Sequence, residues 1–505
     1  MHSKKKVLVI GAGPGGLTSA MLLSHRGFDV TIVEKADRVG GRNAELKVGP
    51  YSFDTGPTFL HQKFTLDEMF AEVGRKTEDY LDIVQLDPMT KLTWSDTSLE
   101  TSSDLETMCQ NIEASFRGQS DGFRRFMDDH GKKMNAVFPC LQKPYHKLKA
   151  YFTPEMARVL KYVATTKNVV DVLKEYFDDE RLMLAFTFQA KYLGMSPWHC
   201  PGLFSILSYL EYKYGIFHVQ GGLCKISDAM AKVVEEEGGK ILLNTAVKEV
   251  LFEDSQAKGV LLENGETMMA DDVIVNADYA QSMVKIMNGH GASEADMRKK
   301  KFSCSTFMLY LGLDTIYKEE PHHHILFADS YRNNVEDITG EKTVSEDMSV
   351  YVRNSSVVDP HVAPEGHSQL YILVPTINTR HGFDWSKHGE EYRNKVLDKI
   401  ERQTGMKDLR QHIVAERWIT PDDWASQDIF LGATFNLAHT MDQMLYFRPP
   451  NKLREFDNVY LVGGGTHPGS GLPTIYESGR MSCNLLCDSR GVDYDMVQFT
   501  PDFTV

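Results

Sequence analysis

Three glycines, Gly11, Gly13 and Gly16, and one acid, Glu34, are the residues whose types and spacing point most directly to chemistry. Glycines so placed let a chain turn tightly, let backbone approach a pyrophosphate, and let a helix pack close to the preceding strand. An acid about twenty residues on accepts hydrogen bonds from ribose hydroxyls. Glu34 also argues against a 2′-phosphate, whose charge it would repel. A second turn follows, Gly40-Gly41-Arg42. There Gly41 lets backbone pass beside a pyrophosphate and Arg42 sets a guanidinium near it. The chemistry indicated is capture of an adenine dinucleotide; the alternative is a glycine turn kept for packing alone. The elements that must position these residues are legible too. Val7-Leu8-Val9-Ile10 reads as a buried parallel strand, Leu17 to Arg26 as a helix closed by Gly27, and Val30-Thr31-Ile32-Val33 as a second strand ending at Glu34. The helix N-terminus supplies N–H groups and the positive end of its dipole to phosphate.

Size and composition bound the remainder. A chain of 505 residues exceeds one hydrophobic core, so two or three domains are expected. Its formal net charge of −15 argues against nucleic acid as a partner, because phosphate-binding surfaces are basic. No apolar run reaches the roughly 18–20 residues a membrane-spanning helix needs. Lys4-Lys5-Lys6 before Val7 is followed by too short an apolar stretch for a signal peptide, so a cytoplasmic protein is expected. Seven cysteines without a Cys-x-x-Cys spacing fit a reducing compartment. Cys483 and Cys487, one helical turn apart, read as small buried thiols. His322-His323-His324 alternates faces on a strand, and no metal is assigned.

A further strand-turn, Tyr51-Ser52-Phe53-Asp54-Thr55-Gly56-Pro57-Thr58, completes an opening that resembles flavin-dependent carotenoid desaturases of the phytoene desaturase type, within the amine oxidase superfamily. The resemblance implies an α/β, Rossmann-type FAD-binding fold with a discontinuous substrate domain and a helical, membrane-facing region. It continues through Lys191-Tyr192-Leu193-Gly194-Met195-Ser196-Pro197-Trp198 and Ser303 to Asp314, which look like the bacterial enzymes that act on thirty-carbon substrates. Near the C-terminus, the strand Asn458 to Val462, the loop Gly463 to Gly471 and a helix opening Leu472-Pro473 supply the second half of the cofactor site. By resemblance, FAD is held by Gly11, Gly13, Gly16, Glu34, Lys35, Gly41 and Arg42. The turn Gly56-Pro57-Thr58 lies beside the cofactor and the substrate cavity. Val247 meets the adenine, Gly464 and Gly465 lie near the phosphates or ribityl chain, and Gly471, Leu472 and Pro473 lie near the ring. A helix N-terminus there stabilises negative charge that builds on reduction. No second Gly-x-Gly-x-x-Gly appears, so one dinucleotide site is expected, without a bound nicotinamide.

The organisation expected from this reading is an FAD domain from 1–95, 215–290 and 445–495, a helical region from 96–214, and a substrate-domain sheet with helices from 291–444. Residues 65–215 read mostly as helices. Within them Lys143, Lys147, Lys149, Arg158, Lys161 and Lys167 face a single acid, Glu155, interleaved with Leu148, Tyr151, Phe152, Met156, Leu160 and Tyr162. Such a stretch suits docking on the inner, anionic membrane face; a solvated helix pair is the alternative. Tyr209 to Ile216 offers aromatic walls for a polyene, or ordinary core packing. The implied reaction moves hydride from an allylic carbon of a linear thirty-carbon precursor to flavin, with a proton lost from its neighbour and electrons passed on to oxygen or a quinone. His467 is the candidate polar group near the reacting carbons; a loop-capping role is its alternative. Rival readings are a terminal-methyl oxidase of the same carotenoids, a flavin amine oxidase, and a non-enzymatic prenyl-lipid escort.

Overall fold

The computed structural model describes residues 4–143, 152–163, 166–189, 194–340, 342–499 and 501–504. Its organising layer is a five-stranded parallel sheet. Along it run Val459–Leu461, Asp272–Val275, Lys6–Ile10, Asp29–Val33 and Lys240–Leu242. The register sets Val9 opposite Ile274 on one side and Ile32 on the other. The inner strands are near-continuous apolar runs because both faces are covered, whereas the edge strand Lys240–Leu242 is partly exposed. Val7, Val9, Val30 and Ile32 pack under the helices Pro14–His25, Cys224–Glu236 and Leu472–Arg490. Leu8, Ile10, Val33 and Val273 pack on the other face against Val250 and Val260 of a three-stranded antiparallel sheet.

The expected strands from 300 onwards join a seven-stranded sheet in the order Ile413–Ile419, Ser305–Leu313, Ser368–Thr376, Val350–Arg353, His323–Leu326, Thr90–Thr93 and Ser98–Thr101. The last two depart from the helical reading of 65–215. Thr90, Leu92, Leu99 and Thr101 alternate inward along a hairpin, a period of two that short β-branched segments satisfy in a sheet. One face of this sheet, with Phe307, Leu309, Leu311, Ile372 and Val374, lies under the helix Trp385–Gln403. The other presents Met308, Tyr310, Tyr351 and Tyr371 to the strand Tyr51–Asp54 and to the helical region.

That region contains the helices Leu105–Ser115, Ser120–Leu141, Pro154–Val163 and Ile206–Tyr214. Met156 and Val159 are buried while Arg158 is exposed, so the amphipathic reading of this segment holds where it is described. Lys147, Leu148, Lys149, Tyr151 and Lys191 to Leu193 lie outside the described residues. Among the described residues no helix is long and apolar enough to cross a membrane.

A buried charge network fixes the C-terminal helix against the helix Lys63–Ala71. Arg480 lies 2.9 Å from Glu68 and 3.1 Å from Glu72, and also pairs with Glu477. Burial pushes the Glu68 carboxyl up to about 7 against the opposing pull of Arg480. Replacing Arg480 by Met removes the cation shared by Glu68 and Glu477, while Glu72 keeps Arg26 at 2.9 Å. Chemical denaturation of the Arg480→Met protein is expected to show a loss of about 3–5 kcal/mol.

Candidate active site

Gly11 takes a φ of +97°, which only glycine adopts without strain, and a Cβ there would lie 2.5 Å from the Asn276 carbonyl oxygen. At Gly16 a Cβ would come within 2.3 Å of the Gly11 carbonyl. The Asn276 amide donates to the Gly11 and Gly13 carbonyls at 3.0 and 3.3 Å, fixing the turn from the adjacent strand. No side chain caps the helix Pro14–His25. Its first-turn N–H groups therefore keep their capacity for an anion. Glu34, buried at the end of the second strand, accepts from the Ala12 and Ala36 amides at 2.7 and 2.9 Å. Each carboxylate oxygen retains a lone pair for a further donor.

The second glycine turn docks on the first. The Gly40 amide donates to Ala12, and a Cβ on Gly41 would sit 3.4 Å from the Gly13 Cα. Arg42 donates to the Thr434 carbonyl at 2.5 Å and lies 3.6 Å from Asp278, so its guanidinium bridges to the 430s segment. Lys35 donates to Asp428 at 2.7 Å. Val247 begins the antiparallel strand reached through Thr245, whose amide donates to the Glu34 carbonyl at 2.7 Å.

Tyrosines of the seven-stranded sheet hold the Gly56-Pro57-Thr58 turn from above. Tyr310 donates to the Thr55 carbonyl at 2.7 Å and Tyr371 to the Gly56 carbonyl at 2.6 Å. The Tyr351 and Thr58 hydroxyls are 2.9 Å apart. One residue earlier, the fully buried Asp54 accepts from the Cys224 amide at 2.8 Å and pairs with Arg353 at 2.5 Å.

The C-terminal loop is fixed by a residue with no expected role, Arg448. Buried, it donates to the Gly464 and Thr466 carbonyls at 2.6 and 2.9 Å. Burial draws its guanidinium down to about 9. Gly465 packs on Tyr279, where a Cβ would approach to 2.6 Å. The His467 amide donates to Pro449 at 2.9 Å, and its Nε2 lies 3.2 Å from the Lys143 carbonyl. Burial lowers its imidazole to about 4, so the ring is neutral, with Nε2 the donor and Nδ1 the basic nitrogen. Beyond it, Gly471 precedes Leu472-Pro473 at the start of the helix Leu472–Arg490, again without a side-chain cap.

The structure thus brings Gly11, Gly13, Gly16, Glu34, Gly41 and Arg42 together at the C-terminal ends of the parallel strands, where dinucleotides bind in such sheets. Two uncapped helix N-termini, a cradle that a Cβ would fill, and a buried carboxylate at the ribose position fit FAD. Among the described residues no group of three His, Cys, Asp or Glu side chains is placed to hold a metal ion.

Residues 14–487 match the family model for flavin-containing amine oxidoreductases. The chain is 45% identical over 498 residues to a 4,4′-diapophytoene desaturase (4,4′-diapolycopene-forming) of a Methylomonas species, covering 98% of this chain and 97% of that one. It is 36% identical to an all-trans-zeta-carotene desaturase of Myxococcus xanthus, covering 97% and 94%. Among solved structures, cyclohexylamine oxidase from Brevibacterium oxydans superimposes with a TM-score of 0.62 at 14% identity, covering 97% and 100%. Replacing Glu34 by Ala strands the Ala12 and Ala36 amides and removes the ribose acceptor. Fluorescence titration of the apoprotein with FAD is expected to show about tenfold or greater loss of affinity.

Proposed function

This chain belongs to the family of flavin-containing amine oxidoreductases, and from that footing we propose that it is an FAD-dependent desaturase converting 4,4′-diapophytoene, a linear thirty-carbon precursor, into conjugated diapocarotenoids. The observation that carries this reading is near-end-to-end identity of almost half the residues with a desaturase of that substrate. Neither the oxidase of terminal methyl groups, the amine oxidase nor the escort reading has comparable support.

Bound FAD supplies the hydride acceptor, chemistry no side chain offers to a hydrocarbon. The protein's share is to bind, orient and exclude water. A polyene presents no hydrogen-bonding handle, so its position is set by apolar and aromatic walls. The tyrosine hydroxyls hold the turn at Gly56 to Thr58 so that it need not reorganise during reaction. On the C-terminal loop, the basic Nδ1 side of the neutral His467 ring is the candidate for steadying positive charge on the reacting carbons. Under anaerobic conditions, 4,4′-diapophytoene in detergent is expected to bleach the bound flavin and yield products lighter by pairs of hydrogens. His467→Ala is expected to keep its FAD and bleach severalfold more slowly. Colour that persists with substrate present overturns the reading, and unchanged bleaching removes His467 from it.

We infer further that the substrate is drawn from an anionic membrane surface, with a quinone or oxygen as final electron acceptor. Phe152 is 80% exposed and Phe447 67% exposed, beside the exposed Met441. Exposed aromatics beside a basic stretch bind such surfaces. Sedimentation with phosphatidylglycerol vesicles is expected to carry the protein down, and Phe152→Ser/Phe447→Ser to weaken that severalfold. Equal recovery with neutral phosphatidylcholine vesicles argues against an anionic surface.

A further inference from the structure

Desaturation removes two hydrogens from adjacent carbons. One leaves with both electrons as hydride, the other as a bare proton, while the two carbons gain a π bond. In a site walled off from water, that proton needs a route out. Directly behind the Gly56-Pro57-Thr58 turn lies a buried file of polar groups that begins at the Thr58–Tyr351 hydroxyl pair and continues through histidines with no part so far. The Thr58 hydroxyl is 2.9 Å from Tyr351, and Tyr351 is 2.8 Å from His323 Nδ1. The His323 and His322 ring centroids are 4.4 Å apart, and those of His322 and His218 are 4.8 Å apart. His218 Nε2 lies 2.8 Å from the Asp359 carboxylate, whose other oxygen is 3.2 Å from His361 Nδ1. The His361 side chain is 67% exposed, so the file runs from the turn to solvent.

Two features separate this file from ordinary core packing. Neither ring nitrogen of His322, nor Nε2 of His323, has a hydrogen-bond partner among the described residues, although both rings are buried. Stranded polar atoms of this kind cost free energy and call for an explanation. These rings lie against their neighbours in the file, with centroids 4.4 and 4.8 Å apart. Secondly, hydrogen bonds fix the donor direction at the outer end of the file. Arg353 donates to His218 Nδ1 at 3.4 Å, so His218 carries its hydrogen on Nε2 and presents it to Asp359. At the inner end, a Tyr351 hydroxyl that donates to His323 Nδ1 leaves the ring hydrogen on Nε2.

Resting on the desaturase reading, we propose that Thr58, Tyr351, His323, His322, His218 and Asp359 conduct the proton released by desaturation from the substrate cavity to His361 at the surface. Each imidazole takes a proton on one nitrogen and gives up the one on the other, so no net charge stays behind. The buried surroundings favour the passage. Among the described residues, Arg353 is the one permanent cation bonded to the file, and Asp54 and Asp359 oppose it, so one negative charge is left to balance a transient imidazolium. Burial and the Arg353 charge hold His322 and His323 well below the ordinary imidazole range, which keeps both neutral between passages.

The apoprotein labelled with nitrogen-15 in histidine tests the path without turnover. His322 is expected to be neutral, with one N–H that exchanges into deuterated water within minutes; protection for hours overturns the relay. In the holoenzyme, His322→Leu is expected to retain FAD and melting temperature but to bleach about tenfold more slowly with polyene. Added imidazole is expected to restore part of the rate. Should that variant not fold, His361→Asn at the surface serves instead. It is expected to turn over more slowly in dilute buffer and at the wild-type rate in concentrated buffer, whereas wild-type rates at every buffer concentration overturn the proposal. Wild-type holoenzyme that never bleaches with polyene sinks the desaturase reading instead, and the exchange measurement still judges the path.

Discussion

One carboxylate holds the parts of this protein in register. Asp54 closes the strand that leads into the Gly56-Pro57-Thr58 turn, receives the amide of Cys224 at the start of a helix under the parallel sheet, and pairs with Arg353 on the seven-stranded sheet. Both charged groups are fully buried, so their attraction acts at low dielectric while neither is rehydrated. Even Gly222 answers to it: a Cβ there would lie 2.9 Å from the Asp54 oxygen. Such a pair contributes less to net stability than to specifying one arrangement, because any slippage leaves a charge without its counterpart.

Around that pin the site divides its labour by chemistry. The glycine turns offer backbone N–H groups, the Glu34 carboxylate and the Arg42 guanidinium, suited to phosphate and ribose. Behind the turn, hydroxyls and imidazoles form a polar layer of their own. The helical region and the sheet face carrying Met308 and Tyr310 meet in one large apolar cluster rich in aromatic rings. A hydrocarbon substrate asks for this separation, since a polar group without a partner inside its cavity would weaken binding more than any single contact strengthens it.

The local parts of this architecture were legible from residues alone. The turn at Gly11 to Gly16, the strand ending at Glu34 and the helix at Leu472 each rest on contacts within a few positions, where glycine, β-branched runs and Pro near a helix start have direct meaning. What escaped is long-range. Asn276 grips Gly11 across 265 positions, and Tyr371 reaches Gly56 across 315. An asparagine after an apolar strand and a tyrosine within one carry no mark of such partners. Arg448 was hidden similarly, as an arginine whose burial follows from loops folding over it. The hairpin at Thr90 to Thr101 escaped because two four-residue strands acquire their periodicity only from the sheet they join.

The central sheet takes its strands from both extremes of the chain: Lys6–Ile10 pairs with Asp272–Val275, which in turn pairs with Val459–Leu461. A ribosome adding about 5–20 residues per second needs roughly 20–90 s between the first and last of these. Once Asp272–Val275 has been made, its edge waits for Val459–Leu461 and has no strand partner on that side until then. The turn at Gly11 and the loop before Leu472 therefore come together only after translation has nearly run its course.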